Sequence, residues 1–426
     1  MKIIIGAGLS GLSAAYHLGR DYRIFERDGE VGGLCRSVME KGYTFDLAPH
    51  IFFTGSQYVN GLVNELLNGD LVRQRRRAYI YLHGTYVEYP FEVNLHGLPK
   101  EIIDECIEGV RHRPNIRPNN FMEWIRATMG EGVAKHYMVP YNEKIWKYPL
   151  EKMNIDWVDG RVPAPSVEEM VKGAEGKVER EYGPNAYFLY PRVGGIGTIP
   201  TALSTRVNEI SLNSDVSEIH QKGKRLEVIY MLNGESKRQE ADKVLSSVPL
   251  PEIVKMIKAA PEEVIKASEA LVYNSLVCFN IGVNRAAISD KHWLYFPEKE
   301  YPFNRISFPM NLSPETVPKG KSSIVVEVTY TGARPNAEET KEKVRQGLVH
   351  AEILRDEDKL EVFGALDFKY AYVVYDLHHK RNVNLIQAYL KSLGVSSMGR
   401  FGEWEYFNMD KAILSGKRAA EEEAKK

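Results

Sequence analysis

Ile3-Ile4-Ile5-Gly6-Ala7-Gly8-Leu9-Ser10-Gly11 opens the chain after Met1 and Lys2, and its spacing decides the fold. Three consecutive isoleucines read as a short strand buried on both faces. The glycines read as a turn, and Leu12 to Leu18 carry the apolar face of a helix. Tyr22-Arg23-Ile24-Phe25 then reads as a second strand. Each glycine has a mechanical reason, Gly6 for the tight turn, Gly8 for close approach of a ligand to the backbone, and Gly11 for helix–strand packing. The helix beginning at Leu9 and Ser10 presents free N–H groups and a positive dipole end to a pyrophosphate. Glu26 closes the second strand, about 20 positions on, where an acidic residue accepts hydrogen bonds from ribose hydroxyls. Strand, turn, helix and acid in these places predict a dinucleotide-binding α/β unit. Glu26 disfavours a ribose 2′-phosphate, which leaves NAD and FAD.

The remaining chain is consistent with an ordinary folded protein. It has 426 residues, 43% hydrophobic and 27% charged, which excludes a disordered chain and suggests two or three domains. Lys plus Arg number 56 against 57 Asp plus Glu, so no basic surplus points to nucleic acid. Cys35, Cys106 and Cys278 are scattered, and no Cys/His spacing resembles a metal site, so no metal is expected. No signal peptide or transmembrane segment is evident, and the expected location is cytoplasmic.

Beyond the first unit, Gln57 to Leu67 reads as a helix. Tyr79 to Leu82 and Tyr86 to Tyr89 read as a hairpin across His83-Gly84-Thr85. Amphipathic helices follow at Ile102 to Val110 and Phe121 to Met129. Strand patterns return at 226–232, 244–248, 275–283 and 324–329, with helices at 261–271 and 339–354. The expected architecture is α/β, a Rossmann-type unit interleaved with a helical insert and a mixed or antiparallel sheet. Its boundaries are 1–70, 186–250 and 385–426 for the dinucleotide unit, 98–185 for the insert, and 71–97 with 251–384 for the substrate sheet. The run Arg73-Gln74-Arg75-Arg76-Arg77 reads as a solvated strand edge.

Gly6 to Arg36, with Gly32-Gly33 extending the phosphate-binding surface, resembles the opening of FAD-containing oxidoreductases of the amine oxidase and protoporphyrinogen oxidase superfamily. That makes FAD the expected cofactor. Thr44 to His50, Tyr89-Pro90-Phe91-Glu92-Val93-Asn94, Pro140 to Trp146, Gly160-Arg161-Val162, Gly183 to Ala186, Tyr295 with Arg305, and Gly399 to Tyr406 narrow the resemblance. Together they resemble UDP-galactopyranose mutases, in particular their eukaryotic-type branch.

The resemblance implies a flavin-dependent isomerase that interconverts UDP-galactopyranose and UDP-galactofuranose through a reduced-FAD N5–sugar adduct. The product would serve cell-envelope glycans, and NAD(P)H or another reductant would supply the electrons. It places Gly6, Gly8, Leu9, Ser10, Gly11, Glu26, Arg27, Gly33, Leu34, Gly195, Gly197, Arg400, Gly402 and Asn408 around FAD. Gly194 to Gly197 would be flexible backbone near the flavin. His50, Arg161 and Arg305 would be catalytic. Tyr89, Phe91, Glu92, Asn142 and Trp146 would hold uridine. Arg305, Tyr295, Tyr372 and Tyr406 would hold the diphosphate, while Arg161, Asn185 and Asn408 would reach the sugar. Tyr370 and Tyr375 compete with Tyr372 for the diphosphate position, and Glu92 stands where these enzymes usually have Gln. The rival reading is a redox enzyme of the protoporphyrinogen oxidase or amine oxidase type. A further rival is a flavoprotein that binds UDP without turnover.

Overall fold

The structure is a computed structural model and describes residues 1–158, 164–177, 182–183 and 185–425. Five parallel strands form its first sheet, in the order Val395–Ser397, Lys243–Ser246, Lys2–Ile5, Tyr22–Phe25, Ile210–Ser211. Ile3, Ile4 and Ile5 lie at its centre with layers on both faces, which is why the strand is uniformly apolar. On one face, helix Leu9–Leu18 packs against the C-terminal helix Met409–Ala424, and Gly416 lets the two backbones approach at Ser10. On the other face lies an antiparallel sheet of Ser214–Lys222, Arg225–Leu232 and Glu235–Ala241. Phe25 stacks on Tyr230 of this layer at 4.2 Å between centroids.

A seven-stranded sheet forms the second large body, in the order Leu360–Val373, Tyr273–Val283, Ser322–Tyr330, Arg305–Ser307, Trp293–Tyr295, Ala78–Leu82, Thr85–Glu88. Its pairs are antiparallel except Trp293–Tyr295 beside Ala78–Leu82. Leu82 pairs with Thr85, so the predicted hairpin turns through His83 and Gly84, both at positive φ, as a two-residue turn of this hand requires. The 14-residue strand Leu360–Val373 was not read from the sequence. It is an edge strand, mostly half-buried, so its apolar alternation is diluted.

Helices Lys100–Arg111, Phe121–Val133, Val139–Trp146 and Val167–Ala174 form a third region. Ile102, Cys106 and Val110 recur every four residues and bury one face of the first. The chain thus leaves the parallel sheet after residue 25 and returns to it at 210, 243 and 395. Among the described residues, no helix is long and apolar enough to cross a membrane.

Candidate functional site

A cavity of about 1010 Å³ runs between the parallel sheet, the seven-stranded sheet and the helices. One end is built on the glycine turn. Gly6 sits at φ +95°, leaving the strand sharply, and Gly8 precedes the helix without any side chain capping its first turn. A Cβ at Gly8 would meet nothing within 4 Å, because that atom would point into the cavity. A Cβ at Gly11 would collide with the Gly6 carbonyl oxygen. The two glycines therefore serve different ends: one leaves room for a ligand, the other lets helix and strand touch. Gly32 and Gly33 fold back onto this loop, with the Gly32 N–H donating to Ala7 O at 2.9 Å.

Glu26 lines this end and accepts from the Ala7 N–H at 2.7 Å and the Asp28 N–H at 3.0 Å. Those bonds hold the carboxylate in place and leave lone pairs facing the cavity. Leu9, Ser10, Arg27, Gly33 and Leu34 complete this end. Cys35 also lines it; burial, with Asp46 behind it, pushes the thiol up to about 12, so it stays protonated.

Three further expected cofactor contacts, Gly195, Gly197 and Gly402, do not line the cavity. Gly195 and Gly197 lie behind the cavity wall, where the Ile196 N–H donates to Asp46 at 3.0 Å and the Gly197 N–H to Ser37 at 2.9 Å. The buried Asp46 carboxylate thus accepts from the backbone of this loop. Asp46 also accepts from Tyr190 and Ser37, and burial raises it to about 6. Gly402 is likewise buried behind the wall, near Ser246 O.

The other end is aromatic and cationic. Arg305, Arg400, Tyr295, Tyr372, Tyr406 and Trp146 line it. Arg305 forks onto Glu327, with Nε donating to Oε1 at 2.5 Å and a terminal nitrogen to Oε2 at 2.8 Å. Burial works against its charge, but Glu327 holds the guanidinium firmly protonated. Arg400 donates to the main-chain carbonyls of Phe407 and Ala371 and lies over the Tyr406 ring at 4.7 Å. Tyr406 stacks parallel to Tyr372, 6.2 Å away. Of the competing tyrosines, Tyr370 donates to Glu252 and Tyr375 to Glu405, whereas Tyr372 faces Arg305.

His50 lies between the two ends. Its Nδ1 is 2.6 Å from Ala48 O, so that nitrogen carries the proton and Nε2 is left as an acceptor. Burial, then the nearby Arg400 and Arg305 charges, lower it to about 4. The ring is neutral throughout the physiological range.

Tyr89, Glu92 and Asn142 line the wall facing the helices, and Asn185 and Asn408 reach the same cavity. Phe91 does not: it is wholly buried and stacks on Tyr137, which takes the expected place in the wall. The amide of Asn142 donates to Met138 O at 2.7 Å and accepts from the Trp146 indole at 2.9 Å, so it orients Trp146. Arg161 lies outside the described residues. Arg76 leaves the expected solvated edge. Its guanidinium covers the Tyr89 ring at 4.6 Å and donates to Asn185 and to Tyr182 O.

Glu327, Arg76 and Tyr137 were missed in the sequence. One signal was available: Glu327 is the lone charge in Ile324-Val-Val-Glu-Val-Thr329, and a carboxylate inside such a run needs a cation.

A family model for flavin containing amine oxidoreductases matches residues 9–422. The chain belongs to this family. Its cofactor is therefore FAD, and the glycine turn, the uncapped helix and Glu26 fit that group. Protoporphyrinogen oxidase 2 of Arabidopsis thaliana is 41% identical over 163 residues, spanning 35% of this chain and 30% of that protein. The 4,4′-diapolycopene oxygenase of Methylomonas sp. is 25% identical over 336 residues, 69% of this chain and 65% of that one. The chain thus spans about a third to just under two thirds of these curated relatives. Among solved structures, reduced UDP-galactopyranose mutase superposes with a TM-score of 0.93 at 28% identity, covering 100% of this chain and 93% of the other. A fatty acid isomerase of P. acnes shares the fold, with a TM-score of 0.64 at 14% identity and coverage of 99% and 98%.

Proposed function

We propose that this flavoprotein is a UDP-galactopyranose mutase, interconverting the pyranose and furanose forms of UDP-galactose or a related UDP-sugar. The observation that carries the reading is the cluster of Arg305, Arg400, Tyr295, Tyr372 and Tyr406 in one cavity with the dinucleotide loop. A redox enzyme acting on an apolar substrate has no use for two half-buried guanidinium groups there. A diphosphate does, because its charge requires permanent cations and directed donors. The similarity to reduced UDP-galactopyranose mutase over the whole chain supports the same reading.

Reduced FAD, when bound, supplies a nucleophilic nitrogen toward the anomeric carbon of the sugar. Gly6, Gly8, Leu9, Ser10, Gly33 and Glu26 would hold its pyrophosphate and ribose. The protein itself holds the nucleotide and eases its departure. Negative charge grows on the β-phosphate oxygen as the glycosidic bond breaks. Arg305, Arg400 and the tyrosine hydroxyls stabilise that charge without reorganising. His50, neutral and with Nε2 unprotonated, offers an acceptor to a sugar hydroxyl. Asn185 and Asn408 bound the sugar end, and Arg161 is assigned there with them. Tyr89 and Trp146, both lining the cavity, would offer ring faces to the base. The enzyme would act in the cytoplasm, with NAD(P)H or another donor reducing the flavin.

The test is direct. The purified flavoprotein is reduced with dithionite without air and given UDP-galactofuranose, and the products are separated by chromatography. UDP-galactopyranose should form with reduced enzyme and not with oxidised enzyme. Inert reduced enzyme, with no change in the flavin spectrum on adding UDP, would return the chain to the redox reading.

A further inference from the structure

Helix Val139–Trp146, which brings Asn142 and Trp146 to the cavity wall, ends against the seven-stranded sheet. The last carbonyls of a helix have no partner within it. Here two side chains of the sheet supply the missing donors. Lys144 O accepts from the Thr329 hydroxyl at 2.7 Å, and Ile145 O from the Asn274 amide nitrogen at 2.6 Å. Trp146 O stands 3.4 Å from the same nitrogen. Asn274 is wholly buried, on strand Tyr273–Val283.

The oxygen of that amide reaches the diphosphate end of the site. Asn274 Oδ1 accepts from the Tyr372 N–H at 3.0 Å, on the edge strand Leu360–Val373. The ladder is interrupted at this point. Asn274 pairs with Tyr372 and Leu276 with Phe368, so Lys369, Tyr370 and Ala371 stand opposite Ser275 alone. Such a bulge re-aims the side chains beside it. Its carbonyls are held from two directions, Lys369 O by the Ser275 hydroxyl at 2.8 Å and Ala371 O by Arg400 at 3.1 Å. The bulge thus delivers Tyr372 to the cavity with the Arg400 guanidinium 5.6 Å from its ring centroid. Trp146 meets the Tyr372 ring edge-on, with 5.9 Å between centroids.

We propose that Asn274 is a positioning residue, whose one amide fixes Trp146 at the base end relative to Tyr372 and Arg400 at the diphosphate end. This rests on the reading of the cavity as a nucleotide-sugar site. The chemistry requires a primary amide. Ile145 O and Trp146 O only accept and the Tyr372 N–H only donates, so one small group must both donate and accept. A carboxylate would offer acceptors alone, and an aliphatic side chain neither. All three partners are main chain, so the amide sets backbone positions rather than the pose of a single side chain. A nucleotide gripped at both ends reads the distance between them, and a small misplacement weakens both grips.

Calorimetric titration with UDP of the FAD-loaded wild type, Asn274→Ala, Tyr372→Phe and their combination tests it. Asn274→Ala should bind UDP about tenfold more weakly, with its flavin absorbance unchanged. The combined variant should lose at least about threefold less than the product of the two single losses, because the Tyr372 hydroxyl has already left its place. Thr329→Val is the control. It removes a cap from the same helix end and leaves the Asn274–Tyr372 bond, so its loss should multiply with that of Tyr372→Phe. Asn274→Ser keeps a polar group but is too short to span both partners, and it replaces Asn274→Ala should that variant not fold. A folded Asn274 variant with wild-type UDP affinity overturns the inference while the nucleotide site stands. So does a loss that multiplies with Tyr372→Phe as that of Thr329→Val does. A wild-type protein that binds no UDP overturns both.

Discussion

Arg305 and Glu327 form a two-pronged ion pair across adjacent strands, and Glu327 is wholly buried. The pair is a support: it fixes the guanidinium plane so that the remaining donor faces the cavity. It also makes the simple deletion ambiguous, since Arg305→Ala strands a buried carboxylate at a cost of about 3–5 kcal/mol. We expect Arg305→Ala combined with Glu327→Gln to recover most of that stability in thermal melts. UDP affinity in the double variant should still fall roughly 10- to 100-fold, the size of a lost charge-assisted hydrogen bond. Its FAD absorbance should be unchanged. UDP binding equal to wild type would remove Arg305 from the diphosphate site.

The glycine turn separates folding from cofactor binding at two positions. Gly8→Ala has room for its methyl group and ordinary backbone angles, so the protein should fold and lose FAD. Gly11→Ala drives a methyl group into the Gly6 carbonyl and should yield little folded protein. Absorbance at the flavin bands and far-UV circular dichroism distinguish the two. A Gly8→Ala protein that retains full FAD would show that the cofactor does not approach this backbone.

Tyr372 and Tyr370 differ in what their hydroxyls already hold. Tyr370 donates to Glu252, whereas Tyr372 faces the Arg305 guanidinium and stacks with Tyr406. Tyr372→Phe should weaken UDP about three- to tenfold, the worth of one neutral hydrogen bond. Tyr370→Phe should cost less. The reverse order in a binding titration would reassign the diphosphate tyrosine.

Burying Glu92 raises its folded pKa to about 7 from the ordinary 4.5, so the folded state holds the proton more tightly. Its contribution to stability is full below about pH 4.5 and is lost as pH rises through about 7. Glu92→Gln escapes this loss. The variant should match wild type in melts near pH 5 and be more stable at pH 8, by at most about 3 kcal/mol. Asp46, raised to about 6 in the same direction, is common to both proteins and cancels. Equal melting temperatures at pH 8 would show that Glu92 is solvated in the folded protein.

What the sequence determined by itself was whatever depends on local chain geometry. Ile3 to Gly11 and Glu26 specify a strand, a turn and a helix within one short stretch, because glycine conformations and apolar runs act over a few residues. The hairpin at Tyr79 to Tyr89 was legible for the same reason. Most expected site residues also reach one cavity, since their motifs lie at the ends of such elements. What only the tertiary structure decided were partners brought together from far along the chain. Arg76 looked like part of a solvated edge, and packing turns it onto Tyr89 and Asn185. Phe91 looked like a stacking ring, and its side of the turn faces the core against Tyr137. The loop of Gly195 and Gly197 carried no visible partner in the sequence, and its Ile196 N–H meets the buried Asp46 carboxylate. Burial and charge are sums over neighbours from every element, and no window of sequence contains them.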